Sequence, residues 1–205
     1  MKVVGFCGYS GAGKTTLVEQ LTRRLAQAGH RVSVIKHAHH DFDIDHEGKD
    51  SWRHRKAGAF EVVIASSRRL ALLREYAAEA EPTLHELIAQ LTACDWVLVE
   101  GFKHAALPKI EVWRAANGKP ALYPIDAFVA AVCTDAPAQL PEPTALPVLA
   151  LGDADAVAAY LLSTSERYDY NAPDQARCAP RASADADAGR GARPAAGRRC
   201  AAAIG

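Results

Sequence analysis

Along the first 160 residues, short apolar runs alternate with stretches whose apolar positions recur every third or fourth residue. Val3, Val4, Gly5, Phe6 and Cys7 make a first run of strand character, and Leu17, Leu21 and Leu25 then mark one face of a helix that stops at Gly29. Arg31 to Lys36 reads as a second strand and Asp50 to Gly58 as a short helix. Two extended runs, Phe60 to Ala65 and Leu70 to Leu73, flank Ser66-Ser67-Arg68-Arg69 and predict a hairpin. Pro82 to Leu91 carries Leu84, Leu87, Ile88 and Leu91 on one face, with proline in the first turn of the predicted helix. Asp95 to Gly101 is a buried-type strand; Ile110 to Trp113, Phe128 to Cys133 and Pro147 to Leu151 supply three more, and Asp153 to Leu162 closes the pattern as a helix. Alternation of this kind predicts an α/β fold, a mostly parallel sheet flanked by helices, with the hairpin as an antiparallel addition.

The pattern fades near Thr164. Downstream, Ala, Arg, Asp, Pro and Gly dominate and large apolar side chains nearly vanish, so the segment lacks the surface to offset its ordering entropy. The expected organisation is one domain over residues 1–163 and a disordered, low-complexity tail over 164–205.

Between the first strand and the first helix stands Gly8-Tyr9-Ser10-Gly11-Ala12-Gly13-Lys14-Thr15, which fits G-x-x-x-x-G-K-[ST] at each fixed position. A polyphosphate concentrates negative charge, so the backbone must curl until successive N–H groups point inward, and Gly8, Gly11 and Gly13 permit this. The helix start adds its positive dipole end. The expected phosphate cradle is Gly8, Ser10, Gly11, Ala12, Gly13, Lys14, Thr15 and Thr16, with Lys14 as the catalytic charge on the β- and γ-phosphates and Thr15 as a Mg²⁺ ligand. Set on this strand and helix, the motif makes the fold one of the P-loop NTPase type.

Other candidates follow from position. Glu100 ends a buried strand, where a P-loop enzyme keeps the carboxylate that orients the Mg²⁺ shell or the attacking water, whereas Asp95 stands at the opposite end of that strand. The polar stretch His37 to Asp50 holds His37, His39, His40 and His46 with Asp41, Asp43 and Asp45. It reads as a transition-metal site, as a switch loop in which an aspartate such as Asp45 completes the Mg²⁺ shell and orders water, or as surface histidines with neither duty. Thr134-Asp135 could accept hydrogen bonds from guanine, although no N-K-x-D or T-K-x-D is present.

Twenty-four Lys and Arg balance twenty-four Asp and Glu, so the chain as a whole offers no broad attraction to nucleic acid or to an anionic membrane. No apolar run approaches a membrane span, and Met1-Lys2 leads into a core strand, which predicts a cytoplasmic protein. Cys7, Cys94, Cys133, Cys178 and Cys200 are scattered without a C-x-x-C pair and read as reduced thiols, three of them in or beside strands.

GYSGAGKTTL, the run IKHAHHDFDIDHEGKDSWRHRKAGA from Ile35 to Ala59, LVEGFK from Leu98 to Lys103 and KIEVWR from Lys109 to Arg114, in this order, resemble the MobB family of molybdopterin-guanine dinucleotide biosynthesis adaptor proteins. The resemblance covers about residues 2 to 163. It departs at His46-Glu47, where the family often has a proline before the glycine. The resemblance implies a homodimeric GTP-binding protein with weak GTPase activity, using GTP and Mg²⁺. Its implied partner is a MobA-type guanylyltransferase that attaches GMP to molybdopterin for the molybdenum cofactor. It further implies that the loop from His37 to Asp50 and Glu100 face the γ-phosphate and that added β-structure near the hairpin makes the dimer; the mechanism expected from the residues has Lys14 with Glu100 or Asp45 serving hydrolysis, and Thr15, Asp45 and Glu100 serving the metal. The rival readings are a metallochaperone GTPase using His37, His39 and His40, and a small-molecule kinase, for which no arginine-bearing lid is visible.

Overall fold

The computed structural model describes residues 1–38, 42–76 and 82–172. Eight strands and four helices follow in the order β1 (Lys2–Cys7), α1 (Lys14–Gln27), β2 (Val32–Lys36), α2 (Asp50–Lys56), β3 (Glu61–Ala65), β4 (Leu70–Arg74), α3 (Leu84–Ala89), β5 (Trp96–Glu100), β6 (Lys109–Trp113), β7 (Val129–Thr134), β8 (Val148–Ala150) and α4 (Ala154–Ser163). Six strands form one sheet in the order β2-β5-β1-β6-β7-β8, and each neighbouring pair is parallel. β1 is therefore central, and every strand points its carboxyl end to the same edge. The predicted hairpin exists, but β3 and β4 form a separate antiparallel sheet of two rather than an extension of the main one.

A parallel sheet must be covered on both faces, and the alternation along its strands shows how. Val4 and Phe6 of β1 and Trp96 and Leu98 of β5 face α1 and α4, packing on Leu17, Leu21, Leu25, Val157 and Leu161. Val3, Val97 and Val99 face the other way, against Ile35 and against Leu84 and Ile88 of α3. Each buried leucine on α1 contributes roughly 1.5–3 kcal/mol, so the helix carrying the phosphate loop is anchored along its full length.

The start of α3 differs from expectation. Thr83 caps it, its hydroxyl accepting from Glu86 N at 3.3 Å while Glu86 Oε2 accepts from Thr83 N at 2.7 Å, a reciprocal capping box. Pro82 thus lies before the cap, outside the first turn.

Two buried ionic side chains of β6 brace the connections before and after it. Lys109, 2% exposed, donates through Nζ to Asp126 Oδ2 and to the Lys103 carbonyl, both at 2.8 Å. Gly5 makes room for it, since a Cβ there would stand 2.9 Å from Lys109 Cβ. Glu111 is fully buried and accepts from Leu122 N and Tyr123 N, each at 2.7 Å. Burial pushes its carboxyl up from the ordinary range, opposed by those two amides.

The domain boundary expected after residue 163 falls later. A 3-10 turn over Ser165–Tyr168 buries Tyr168 in the core, Lys2 pairs with Asp169 at 2.7 Å, and Tyr170 N donates to Met1 O at 3.2 Å, so the folded unit runs Met1–Ala172. The expected tail beyond it lies outside the described residues. Among the described residues, no helix is long and apolar enough to cross a membrane.

Candidate functional site

β1 delivers the phosphate loop to the centre of the carboxyl edge. The chain turns at Gly8, Gly11 and Gly13, at φ of 127°, 80° and 98°. Gly8 is there for two reasons: its left-handed backbone, and the 2.2 Å that would separate a Cβ from the Val112 carbonyl oxygen of β6. Gly13 caps α1 without a side chain, and no acidic residue stands in the first turn, so the amides and dipole of α1 are left for an anion from outside. This is the cradle the motif requires.

Lys14 Nζ donates to the Tyr9 carbonyl at 2.9 Å, which folds the ammonium back over the loop. Burial pulls its pKa down from the ordinary lysine value, and Glu100 opposes that shift. Glu100 sits level with Phe6 on β1 and with Lys36 on β2. Thr15 Oγ1 donates to its Oε1 at 2.5 Å, and Lys36 Nζ lies 3.9 Å from the same oxygen. A hydroxyl and a carboxylate so joined are hard oxygen donors of the kind Mg²⁺ takes. The residues present therefore fit both groups that the motif implies, a polyphosphate and its magnesium ion.

These side chains line a cavity of 1470 Å³, to which Gly8, Ser10, Gly11, Gly13, Lys14, Thr15, Thr16 and Glu100 all contribute. Ala12 does not; it is buried in the core beneath the loop. Asp45 is also absent from the cavity. Its carboxylate accepts from Ser51 Oγ at 2.9 Å, His46 N at 3.0 Å and Arg55 Nε at 3.2 Å. Desolvation pushes its carboxyl up, but those three donors outweigh it and hold the pKa below the ordinary value. Arg55 also binds Asp43 at 2.7 Å and Glu75 at 2.7 Å, tying the polar loop to the strand end after β4. The structure thus gives Asp45 a structural anchor and does not bring it to Thr15 or Glu100.

His39, His40 and Asp41 lie outside the described residues. His37 lines the cavity. Among the described residues, no group of three or more His, Cys, Asp or Glu side chains converges as a metal cage. Cys7 lines the cavity floor, and burial pushes its thiol up to about 12, as it does for Cys133; both stay protonated and serve as small core residues.

Two residues the sequence reading passed over belong to the site. Asn117, in a 3-10 turn over Ala115–Asn117, donates through Nδ2 to the Ser10 carbonyl at 3.3 Å and so steadies the loop from the β6 side. Arg114, directly after β6, lines the cavity beside Gly13. Its Nε is 3.1 Å from Asp135 Oδ2, an ion pair in which the N–H does not align as a hydrogen bond. Asp135, the candidate purine reader, is thereby held beside Arg114, though it does not itself line the cavity. A basic residue at the carboxyl end of a strand was the signal available for Arg114; Asn117 had none.

Residues 3–135 match the family described as molybdopterin guanine dinucleotide synthesis protein B. A molybdopterin-guanine dinucleotide biosynthesis adapter protein of Haemophilus influenzae is 45% identical over 141 residues, covering 67% of this chain and 77% of that protein. Its counterpart of the same description in Escherichia coli is 43% identical over 141 residues, covering 67% and 81%. The crystal structure of a MobB protein homolog from Bacillus stearothermophilus shares the fold with a TM-score of 0.60 at 25% identity, covering 81% of this chain and 99% of that one.

Proposed function

Since the chain belongs to the molybdopterin guanine dinucleotide synthesis protein B family, we propose that it is an adapter protein of molybdopterin-guanine dinucleotide biosynthesis that binds GTP with Mg²⁺ and hydrolyses it slowly. Its partner is then a guanylyltransferase that joins GMP to molybdopterin. The observation that carries the reading is the juxtaposition at the carboxyl end of β1: an uncapped helix start, Lys14 poised over the loop, and the Thr15 hydroxyl bonded to Glu100.

In this reading Lys14 leaves the Tyr9 carbonyl for the phosphates, and the α1 amides hold their oxygens. Thr15 and Glu100 are the residues that would hold Mg²⁺, which when bound neutralises charge on the phosphates. Glu100 also orders the attacking water. Asp135, beside Arg114, is the carboxylate suited to guanine N1 and N2. Among the described cavity residues no second arginine faces the P-loop, and an arginine finger is worth roughly 10³ to 10⁵ in rate, so turnover by the isolated protein is slow. The test is a reconstituted assay with guanylyltransferase, molybdopterin and GTP. Added protein raises the rate of dinucleotide formation and co-purifies with the transferase; no gain over transferase alone overturns the role.

The reading includes a homodimer formed through the hairpin. A two-stranded sheet by itself is marginally stable in water, yet β3 and β4 expose Val63, Ile64, Leu70 and Leu72, with Phe60 alongside. A second copy pairing here covers an open edge and part of the apolar area. Leu70→Asp with Ile64→Lys is expected to convert a dimer to monomer in light scattering while nucleotide binding persists. An unchanged mass would place the dimer contact elsewhere.

A further inference from the structure

The cavity does not end at the phosphate loop. Its 1470 Å³ exceeds the roughly 300–1,000 Å³ that usually encloses one small ligand. On the β6 side of β1 it reaches Arg114 and Leu151; on the other side it extends along the ends of β5 and β2 to the start of α3. The walls of that second lobe are Lys36, His37, His85, Phe102, Lys103 and His104. Among the described residues that line the cavity, Lys14, Lys36, Lys103 and Arg114 face one carboxylate, Glu100, which Thr15 and Lys36 already engage. Of these cations Lys36 and Lys103 belong to this lobe, and Lys103 has no carboxylate among the described lining residues other than Glu100.

The lobe is held in shape from several directions. Gly101 adopts φ 98°, and a Cβ there would stand 2.8 Å from His37 Cβ. Phe102 follows at φ 47°, a conformation side chains rarely adopt, with its ring 4.7 Å from that of His37. Buried Lys109 grips the Lys103 carbonyl from below at 2.8 Å. Lys103 Nζ lies 5.8 Å above the Tyr9 ring, and His85 Nδ1 is 2.7 Å from the Tyr170 hydroxyl. Uncommon backbone held by its surroundings concentrates where ligands are clamped.

We infer that this lobe is a second ligand site, for a small phosphate monoester seated beside the terminal phosphate of the nucleotide. A dianion takes more than one cation, which Lys36 and Lys103 supply with imidazoles around them, and the Phe102 and Tyr9 side chains line the cavity beside the organic part. The inference rests on the nucleotide reading of the P-loop, because the second ligand is placed relative to a filled loop.

Flavin mononucleotide serves as the probe, being a fluorescent monoester with a fused aromatic ring, and riboflavin is its phosphate-free control. The full-length protein is first saturated with a non-hydrolysable GTP analogue and Mg²⁺, with bound nucleotide quantified, and the probe is then titrated. Flavin mononucleotide binds without expelling nucleotide, at least tenfold more tightly than riboflavin. Lys103→Ala with His104→Ala weakens the probe at least tenfold and leaves nucleotide affinity within twofold, which also shows that the variant is folded. Failure to take up the GTP analogue would overturn the nucleotide reading and the second ligand with it. Nucleotide uptake with no probe binding, expulsion of nucleotide by probe, equal binding of riboflavin, or a double variant that binds as before would overturn the second site alone.

Discussion

Lys14→Ala lowers the affinity for a GTP analogue about 100-fold. A charge-assisted hydrogen bond contributes roughly 1.5–3 kcal/mol, and an ammonium shared between two phosphates supplies about 3 kcal/mol, which is that factor in Kd. The fold is unaffected, because among the described residues the Lys14 ammonium bonds only to the Tyr9 carbonyl, and α1 is anchored further along by Leu17, Leu21 and Leu25. Titration of a fluorescent analogue measures the first quantity and a thermal melt the second. An affinity within threefold of the parent, with the melt unchanged, would remove the P-loop as the nucleotide site.

Glu100→Gln separates hydrolysis from binding. The amide oxygen still accepts from the Thr15 hydroxyl, so the geometry of the loop is kept, but the charge that orders water and attracts Mg²⁺ is gone. Loss of a positioned base costs roughly 10² to 10⁴ in rate, and single-turnover hydrolysis falls by at least 10². Affinity in the presence of Mg²⁺ drops by less than about tenfold, the loss of one metal contact of several. Without Mg²⁺ the sign reverses: a negative charge beside the phosphates has been removed, and nucleotide binds more tightly than to the parent. A variant that hydrolyses at the parental rate would make Glu100 a strand-end ion-pair partner of Lys36 and nothing more.

The site divides sharply by how far apart its parts lie in sequence. The phosphate loop could be read residue by residue, because each of its glycines, Lys14 and Thr15 acts through local backbone geometry within a strand-loop-helix unit. Glu100 could be placed because parallel strands share an edge, so the end of one buried strand is level with the end of another; the register Phe6↔Glu100 is the outcome of that rule. Asp45 went elsewhere because the path of a polar loop depends on distant partners, and Arg55 gathers Asp43 and Asp45 from that loop and Glu75 from just beyond β4. No periodicity encodes such a convergence. The hairpin was visible as two apolar runs around a polar turn, but whether it joined the main sheet depended on the path of the intervening chain. The domain end was misplaced for a related reason: Tyr168 and Tyr170 are single aromatic anchors in a stretch whose average composition reads as unstructured. The short capping box at Thr83 and Glu86 was local and could have been found, and it corrects where α3 begins.

The strand order also has consequences for how the molecule is made. β1, near the amino terminus, pairs with β5 from Lys2↔Trp96 onward and with β6 from Gly5↔Lys109, so its hydrogen-bonding partners emerge about ninety residues after it. At the usual pace of synthesis, about 5–20 residues per second, the nascent phosphate-loop strand waits roughly 5–20 s with both edges open. High contact order of this kind slows folding and exposes apolar edges to other chains. Ribosome-bound intermediates that have not yet released β6 (Lys109–Trp113) are therefore the stage at which this protein is most prone to aggregate, and a chaperone that shields Val3 to Cys7 during that interval would raise its yield without touching the finished fold.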